Sequence, residues 1–427
     1  MPAERVELLA PAGDGAALQA ALSAGADAVY VGLDRWSARA FARNFGGEAL
    51  IGAIDRAHLF GARVHLALNT LLKHSEIDDA LAALARPYEA GLDALIVADL
   101  GFAALVRERY PGLALHASTQ LNAHSSAQLS SMVGGRSGNR GRCSQVCRMR
   151  YRLQGVAADA DVESARSMAP AAEGDLERAL SAADLAAIGV LPALIDAGVT
   201  SFKIEGRMKD AAYVAVTTAV YREALDAAAA DPGAYTVRDE WLARLGQSFS
   251  RTFTTAHLEG RHHEVRSRGR SGHRGAAVGR VEHADEGAGL VTIRLSEPLA
   301  PGDVVQIYTP WGHTEALRVG SVVERGDVAS ERADERWTER LTLRARERVA
   351  ARDRVFRVGS QEIDEFARDA VAARALARLR SMLACRGGRA SARASRSCWC
   401  GGRPASPTSA PWSSRATSRS SRRVRQR

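Results

Sequence analysis

The sequence has few lysines, few cysteines and no long apolar run. Of its 58 basic residues only Lys73, Lys203 and Lys209 are lysine, a bias that indicates GC-rich coding DNA. No apolar run approaches the roughly 20 residues that a helix needs to cross a bilayer. The polar start, residues 1–7, lacks a signal-peptide pattern. The sequence therefore predicts a cytoplasmic protein, in which the five cysteines stay reduced and available to metals.

Protease motifs are also missing. There is no His-Glu-x-x-His zinc pattern. No spacing of serine, histidine and acidic residues marks a nucleophile with its base. The residues alone give protease chemistry little support.

Acidic residues are absent from residues 371–427, which hold 14 arginines. Without this segment 44 basic residues face 49 acidic ones, so the net charge changes from +9 to −5. The basicity of the whole chain is therefore no evidence for an RNA-binding surface on the folded part. The segment itself has a composition typical of disorder. It is either a basic RNA-binding arm or, as we favour, an out-of-frame reading of GC-rich DNA.

Short apolar runs alternate with helical stretches over the first 120 residues. Five runs predict buried strands: Val6–Pro11, Ala28–Gly32, Arg63–Leu68, Ala94–Ala98 and Ala114–Ser118. Helix-ending glycines precede several of them. Repeated βα units of this kind predict a parallel sheet. With Ser201–Ile204 as a sixth strand, the predicted fold class is α/β, a (β/α) TIM-type barrel with six of its eight strands.

After the second glycine-rich motif the apolar residues recur with period two, which predicts a small antiparallel β-barrel. We therefore expect four segments. These are an incomplete (β/α) barrel over 1–230, a connecting segment over 231–275, a small β-barrel over 276–360, and a helix followed by the arginine-rich tail over 361–427.

A glycine-arginine motif occurs twice, at residues 135–141 and 269–275. Its glycines allow positive φ and expose successive N–H groups, which together with arginine suit a phosphate or carboxylate. Cys143 and Cys147 follow the first copy at a spacing compatible with soft-metal ligation. The alternative is two surface turns with solvated arginines and ordinary cysteines. The candidate substrate-binding residues here are Arg136, Asn139, Arg140, Arg270 and Arg274.

A second candidate site follows the sixth strand. Lys203, Glu205 and Arg207 alternate along this strand and its exit, so they share one side, and active sites of (β/α) barrels lie at the carboxyl ends of the strands. The three are either an ion-paired trio that closes the barrel interior or catalytic residues for an anionic substrate. His116 and Gln120, at the end of strand five, could join them, although a strand histidine is often structural.

Five motifs in one order carry a family resemblance. They are Glu7–Gly13, Ala28–Gly32, His116–Gln120, the glycine-rich stretch with Cys143 and Cys147, and Phe202–Lys209. Over about residues 4–360 the chain resembles the collagenase-like peptidase family in its long bacterial form. The resemblance implies an iron–sulfur enzyme, with a [4Fe–4S] cluster, that hydroxylates an RNA nucleobase without oxygen. It also implies RNA, most simply ribosomal RNA, as partner and prephenate as small-molecule co-substrate.

The chain departs from that family pattern in its cysteines. Relatives carry two further βα units with two cluster cysteines where Gln128 here joins Leu129, and another cysteine where Ala186 stands. Only Cys143 and Cys147 remain, whereas a [4Fe–4S] cluster takes four thiolates. We therefore expect impaired cluster assembly. Three functions stay open: an RNA hydroxylase, a collagenase-like peptidase, and a non-catalytic RNA-binding remnant.

Overall fold

A computed structural model describes most of the chain up to residue 372. The described residues are 6–39, 42–122, 149, 180–255, 258–260, 265, 273–309, 312–320, 340–345 and 348–372. Contacts divide the chain into residues 1–379 and 380–427, and all described residues lie in the first unit.

A six-stranded parallel sheet forms the first half of the structure. The strands up to residue 254 are β1 (Glu7–Pro11), β2 (Ala28–Gly32), β3 (Arg63–Leu68), β4 (Ala94–Val97), β5 (Ala114–Ala117), β6 (Asp184–Leu185), β7 (Ser201–Lys203) and β8 (Phe253–Thr254). The sheet order is β5-β4-β3-β2-β1-β7, and β6 pairs with β8 in a separate small sheet. The six predicted parallel strands are therefore confirmed. Strands β1 to β5 lie side by side in sequence order, as expected of repeated βα units, and β7 pairs with the free side of β1.

Helices connect these strands and pack on one face of the sheet. They are α1 (Gly15–Ala24), α2 (Gly47–Leu59), α3 (Ile77–Ala83), α4 (Ala85–Glu89), α5 (Leu100–Arg109), α6 (Leu191–Asp196), α7 (Ala211–Ala230) and α8 (Asp239–Ser248). The helical pattern over 75–90 predicts one helix, but the structure has two. Pro87 explains the break, because its ring would clash with the carbonyl group of Ala83 four residues earlier.

The recurring glycine before each strand ends a helix, as predicted. Gly25 and Gly91 have φ values of 100° and 92°, the left-handed region that favours glycine. The aspartate two residues later then binds the neighbouring strand. Asp27 Oδ2 accepts from the Leu8 amide at 2.9 Å, and Asp93 Oδ2 accepts from the Val64 amide at 2.7 Å. Each Gly-x-Asp sequence therefore ends one helix and ties the next strand to the sheet.

The two faces of the parallel sheet differ in character. The helix-covered face belongs to a large apolar core that includes Leu8, Val64 and Leu95. The opposite face has a small apolar cluster made of Leu9, Ala28, Tyr30, Ala67 and Ile96. We call this second face the inner face. Polar side chains gather on it, and the candidate site lies there.

The second half is a seven-stranded antiparallel sheet. Its strands are β9 (Ala276–Asp285), β10 (Leu290–Leu295), β11 (Val304–Thr309), β12 (Gly312–His313), β13 (Leu317–Arg318), β14 (Arg340–Arg344) and β15 (Arg354–Gly359). The order is β12-β11-β15-β9-β10-β14, with β13 also on β11. Val291, Ile293 and Leu295 are buried in alternation, as the period-two pattern predicts.

Residues 361–372 are helical, which agrees with the predicted start of the last segment. The predicted segment boundaries at 230, 275 and 360 stay predictions. None of the helices among the described residues has the length and apolarity that a bilayer crossing requires.

Candidate active site at the carboxyl end of the parallel sheet

Two glycines at strand ends make room for Arg207. A Cβ atom on Gly13 would lie 2.0 Å from the Arg207 carbonyl oxygen. A Cβ atom on Gly32 would lie 2.3 Å from Arg207 Nη1 and 2.8 Å from Asn44 Oδ1. Such contacts are far shorter than van der Waals distances, so only glycine fits both positions. The ends of β1 and β2 and the segment after β7 therefore meet around one side chain.

Arg207 is buried in this space, with 3% of its surface exposed. Its Nη2 donates to Ser37 Oγ, and Ser37 is itself buried. Its Nε has no hydrogen-bond partner among the described residues, and neither has Asn44 Oδ1. Burial lowers the pKa of Arg207 to about 10. The guanidinium therefore stays charged at neutral pH, as arginine does in proteins.

Lys203 and Glu205 lie on the accessible side of the same cluster. Lys203 Nζ lies 4.5 Å from the centroid of the Tyr30 ring and 3.5 Å from Glu205 Oε1. Glu205 Oε2 lies 3.8 Å from an Arg39 Nη atom. Glu205 is 61% exposed, so its carboxylate sits between two cations at a surface that a ligand can reach.

Tyr30 ties this cluster to the strand. Its hydroxyl donates to the carbonyl oxygen of Ile204 at 3.0 Å. Burial raises the pKa of Tyr30, and the nearby Glu205 carboxylate adds to the rise. The ring therefore stays protonated and holds the segment that carries Lys203 and Glu205 against β2.

The predicted trio is thus brought together only in part. Lys203 and Glu205 form an ion pair, whereas Arg207 packs behind them against Ser37. The strand ends at Lys203, so the other two lie on the connection beyond it.

His116 lies on β5 next to a histidine that sequence reasoning passed over. Its ring centroid is 4.7 Å from that of His65 on β3, with the planes at 82°. Burial lowers the pKa of His65 to about 4, so this ring is neutral at pH 7. Gln120 lies beyond the end of β5, in a short 3-10 helix formed by Thr119–Asn122. Its backbone amide donates to Ser118 Oγ at 3.1 Å, and its buried Oε1 has no partner among the described residues.

The end of the second glycine-arginine motif is built into the fold. The Arg274 amide donates to the Ser250 carbonyl at 2.8 Å, and its guanidinium lies 5.3 Å from the centroid of Phe356. Gly275 has φ 73°, and a Cβ there would lie 2.0 Å from the Arg357 carbonyl oxygen. This half of the motif therefore has a structural role, whatever else Arg274 contacts.

The same motif reaches the segment after β7. The His273 ring stacks on Phe249 at 5.4 Å, and Lys209 Nζ lies 2.8 Å from the Phe249 centroid. Burial lowers the pKa of Lys209 to about 8, although Asp184 and Asp210 oppose the shift. Lys209 thus lies over the Phe249 ring, with the Tyr213 ring centroid 5.6 Å from its Nζ, beside the candidate site.

The remaining predicted site residues lie outside the described residues. They are Arg136, Asn139, Arg140, Cys143, Cys147 and Arg270. Within the described ranges no three histidine, cysteine, aspartate or glutamate side chains come close enough to hold a metal.

Sequence reasoning missed the residues that shape the site: Gly13, Gly32, Tyr30, Ser37 and Asn44. A glycine at the end of a buried strand, or two residues beyond it, was the available signal, since such a residue often permits close approach of another segment. The partner of each glycine could not be read from the sequence, because Arg207 lies 194 residues after Gly13 and 175 residues after Gly32.

Two of the relatives found by comparison with known proteins are named for the hydroxylation of RNA. The tRNA hydroxylation protein P1 of Bacillus subtilis is 30% identical over 365 residues, covering 72% of this chain and 84% of that protein. The 23S rRNA 5-hydroxycytidine synthase of Escherichia coli is 32% identical over 365 residues, covering 71% of this chain and 52% of that protein. The chain therefore spans about half the length of the second relative.

A third relative has a different name. The collagenase of Porphyromonas gingivalis is 25% identical over 311 residues, covering 58% of this chain and 72% of that protein. No solved structure matches the chain. The model of peptidase family U32 matches residues 13–130 and 126–268. Since these matches cover more than half of the sequence, the chain belongs to peptidase family U32.

Proposed function

We propose that the chain derives from an enzyme that hydroxylates a nucleobase in RNA, with its reactive groups at the carboxyl end of the parallel sheet. The observation that carries the proposal is the exposed Lys203–Glu205–Arg39 cluster, held in place by Tyr30 and the buried Arg207. Relatives named as tRNA and 23S rRNA modification proteins support RNA as the substrate class.

The cluster suits an anionic ligand. Lys203 and Arg39 supply donors for a phosphate of RNA or for the carboxylates of prephenate, the co-substrate that we propose. The Glu205 carboxylate is exposed and lies between the two cations, so its oxygens can accept a hydrogen bond from a substrate hydroxyl group. Arg207 is a positioning residue in this scheme, because its burial keeps it from touching substrate.

We further propose that the six parallel strands are part of a (β/α) barrel that lacks a segment present in relatives. The alignment with the B. subtilis relative supports this. Its 72% share of 427 residues is about 307 residues, so about 58 of the 365 aligned positions pair no residue of this chain. The two family matches also meet at residues 126–130, next to the Gln128–Leu129 junction.

An iron–sulfur cluster is the cofactor that the family resemblance implies, and the residues of this chain do not fit it. Ala186 stands at a proposed cluster position, buried among apolar neighbours such as Ile188 and Phe253. Cys143 and Cys147 are two thiols where four are needed. We therefore infer impaired assembly and derive no step through a cluster. After anaerobic reconstitution the monomer should bind well under four irons and four sulfides, and a full complement would contradict this inference.

The activity itself can be tested in cells that lack their own RNA hydroxylases of this type. We would express the chain with the missing segment restored from a relative and Ala186→Cys, then digest the RNA and measure hydroxylated nucleosides by mass spectrometry. Lys203→Ala and Glu205→Gln should each reduce the product at least tenfold. Lys73→Ala, which changes a lysine outside the site, should not. No product from the restored protein would refute the proposal.

Collagenase activity is the second candidate, favoured by the family's own name and by the name of the relative from P. gingivalis. Gelatin hydrolysis by the purified chain, retained in Lys203→Ala, would establish it. Among the described residues the site offers a lysine–glutamate pair but no serine or cysteine paired with a base, so we expect no hydrolysis.

A further inference from the structure

Four arginines stand opposite one another across the antiparallel sheet. Arg280 on β9 is in register with Arg354 on β15 and with Arg294 on β10. Arg294 is in turn in register with Arg340 on β14. Directly opposed residues of an antiparallel pair place their side chains on the same face. We call this set, Arg354, Arg280, Arg294 and Arg340, the arginine row.

The arginine row lies on the outer face of the sheet. All four arginines are exposed, whereas neighbours along their strands, such as Val281, Ile293 and Val355, are buried in the core of the sheet. Adjacent strands are about 4.8 Å apart, so the row crosses four strands over about 14 Å. Two residues along β10 and β14 from the row, the hydroxyl oxygens of Thr292 and Thr342 lie 3.2 Å apart. Polar groups therefore continue beside the row on this face.

The row carries an excess of positive charge. Glu282 accepts from Nε and Nη2 of Arg340, at 2.6 and 2.9 Å. Among the described residues no carboxylate forms an ion pair with Arg280, Arg294 or Arg354. Four guanidinium groups therefore face one carboxylate, although the chain without its arginine-rich tail carries a net charge of −5.

This arrangement is unfavourable for the sheet by itself. Like charges directly opposite one another destabilise a strand pair, and the row holds three such pairs in succession. An exposed strand position accepts threonine or glutamine without that repulsion, so folding does not require the arginines. A ligand with a series of negative charges would relieve the repulsion on binding. The planar guanidinium group suits phosphate in particular, because it can donate two parallel hydrogen bonds.

The arginine row is connected to the candidate active site. The guanidinium groups of Arg354 and Arg274 lie 5.2 and 5.3 Å from the centroid of the Phe356 ring. The residue before Arg274, His273, contacts the same aromatic ring as Lys209, beside the candidate site. Basic side chains therefore follow one another from the row towards that site.

We propose that the arginine row binds the phosphate backbone of RNA. The inference rests on the proposed function for the identity of the polyanion. Phosphate contacts fix the position of a nucleic acid without reading its sequence. The row therefore holds the RNA, while the groups at the carboxyl end of the parallel sheet act on the base.

The first test is protection of the full chain from phenylglyoxal, which modifies accessible guanidinium groups and whose sites mass spectrometry can locate. With a single-stranded oligouridine at about ten times its dissociation constant, modification of Arg280, Arg294 and Arg354 should slow about tenfold. Arg107 and Arg109, exposed at the end of α5, are the internal control and should react as before. Unchanged reactivity of the row would overturn the proposal.

The second test is the salt dependence of oligouridine binding to the full chain. Glutamine at Arg280, Arg294 and Arg354 together should flatten the slope of log affinity against log salt by about two units, since each phosphate contact on a single strand contributes about 0.7. The arginine-rich tail is common to all variants, so the difference between them reports on the row.

A matched control removes the same charge elsewhere. It carries glutamine at three other exposed arginines and should keep the slope of the unaltered chain; these are Arg56, Arg107 and Arg109. Equal slopes in the two triple variants would mean that net charge governs binding and that the row makes no contact of its own, which would refute the proposal.

Other outcomes are distinct. Vesicles of phosphatidylserine that protect the row where oligouridine does not would identify a membrane surface as the partner and overturn the assignment to RNA. Neither test measures hydroxylated nucleosides. Product from the restored enzyme without protection of the row would contradict only this inference, whereas protection without product would contradict only the proposed function.

Discussion

The substitution Gly32→Ala tests the glycine–arginine packing behind the site. The new Cβ would lie 2.3 Å from Arg207 Nη1 and 2.7 Å from its Cζ. The guanidinium is buried and bonded to Ser37, so it has little freedom to move. Overpacking of this kind typically costs about 1–3 kcal/mol. We therefore expect Gly32→Ala to lower the free energy of unfolding by about 2 kcal/mol.

A double-mutant cycle isolates the cause. In an Arg207→Ala background the guanidinium is gone and the new methyl group has space, apart from the contact with Asn44. Gly32→Ala should then cost at least about 1 kcal/mol less than in the unaltered chain, because groups in direct contact couple by about 0.5–3 kcal/mol. Urea unfolding, followed by tryptophan fluorescence and by circular dichroism, measures all four proteins.

Gly52→Ala is the matched control. This glycine lies inside α2, and a Cβ atom there would meet no atom within 4 Å. Alanine in a helix interior is favoured over glycine by about 0.5–1 kcal/mol, so the control should be stabilised. If the costs of Gly32→Ala and Arg207→Ala simply add, the two residues do not pack as described and the reasoning fails.

Three further predictions concern charged groups. The pKa of Lys209 should be about 8, which NMR spectra of the methylated protein can measure because the chain has only two other lysines. In the unfolded chain the same group keeps its proton up to about pH 10.5, so the free energy of unfolding should rise as the pH increases from 8 to 10.5. An unshifted titration would refute the burial argument. Asp27→Asn should destabilise the fold by about 2 kcal/mol, because the buried Arg222 donates to Asp27 at 2.9 Å; a loss under half that value would mean that Asp226 compensates. If the glycine-arginine motifs bind RNA phosphates, alanine at all four arginines should flatten the dependence of log affinity on log salt by up to about four units, in a chain without the arginine-rich tail. An unchanged dependence of log affinity on log salt would mean that the glycine-arginine motifs are structural turns that do not contact RNA phosphates. The four are Arg136, Arg140, Arg270 and Arg274.

The fold was more predictable than the site. Buried parallel strands are continuous apolar runs, so Ala28–Gly32 and Arg63–Leu68 were identifiable with their observed bounds. β15 (Arg354–Gly359) was missed, since its run Arg-Val-Phe-Arg-Val does not alternate strictly. A helix such as α7 reads clearly because its cap residue Asp210 and its apolar face are local in sequence.

The site depends on contacts between distant parts of the chain. Lys203 and Glu205 could be predicted as site residues because they are close in sequence, at and just beyond the end of one strand. The contact of His65 with His116 depends on sheet register. The contacts of Phe249 with both Lys209 and His273 depend on how the two halves of the structure pack. Neither register nor packing is encoded in a short motif.

The order of the parallel sheet has a consequence for the missing segment that we propose. Each strand from β1 to β5 pairs with its sequence neighbours, so among the described residues β5 and β7 are the two outer strands of this sheet. Loss of residues between them leaves the hydrogen bonds of β1 to β4 untouched. The absence of the segment that we propose is missing would therefore have a local effect, and one insertion after Gln128 would restore it without redesign of the rest. A sheet assembled from distant strands would not tolerate such a cut.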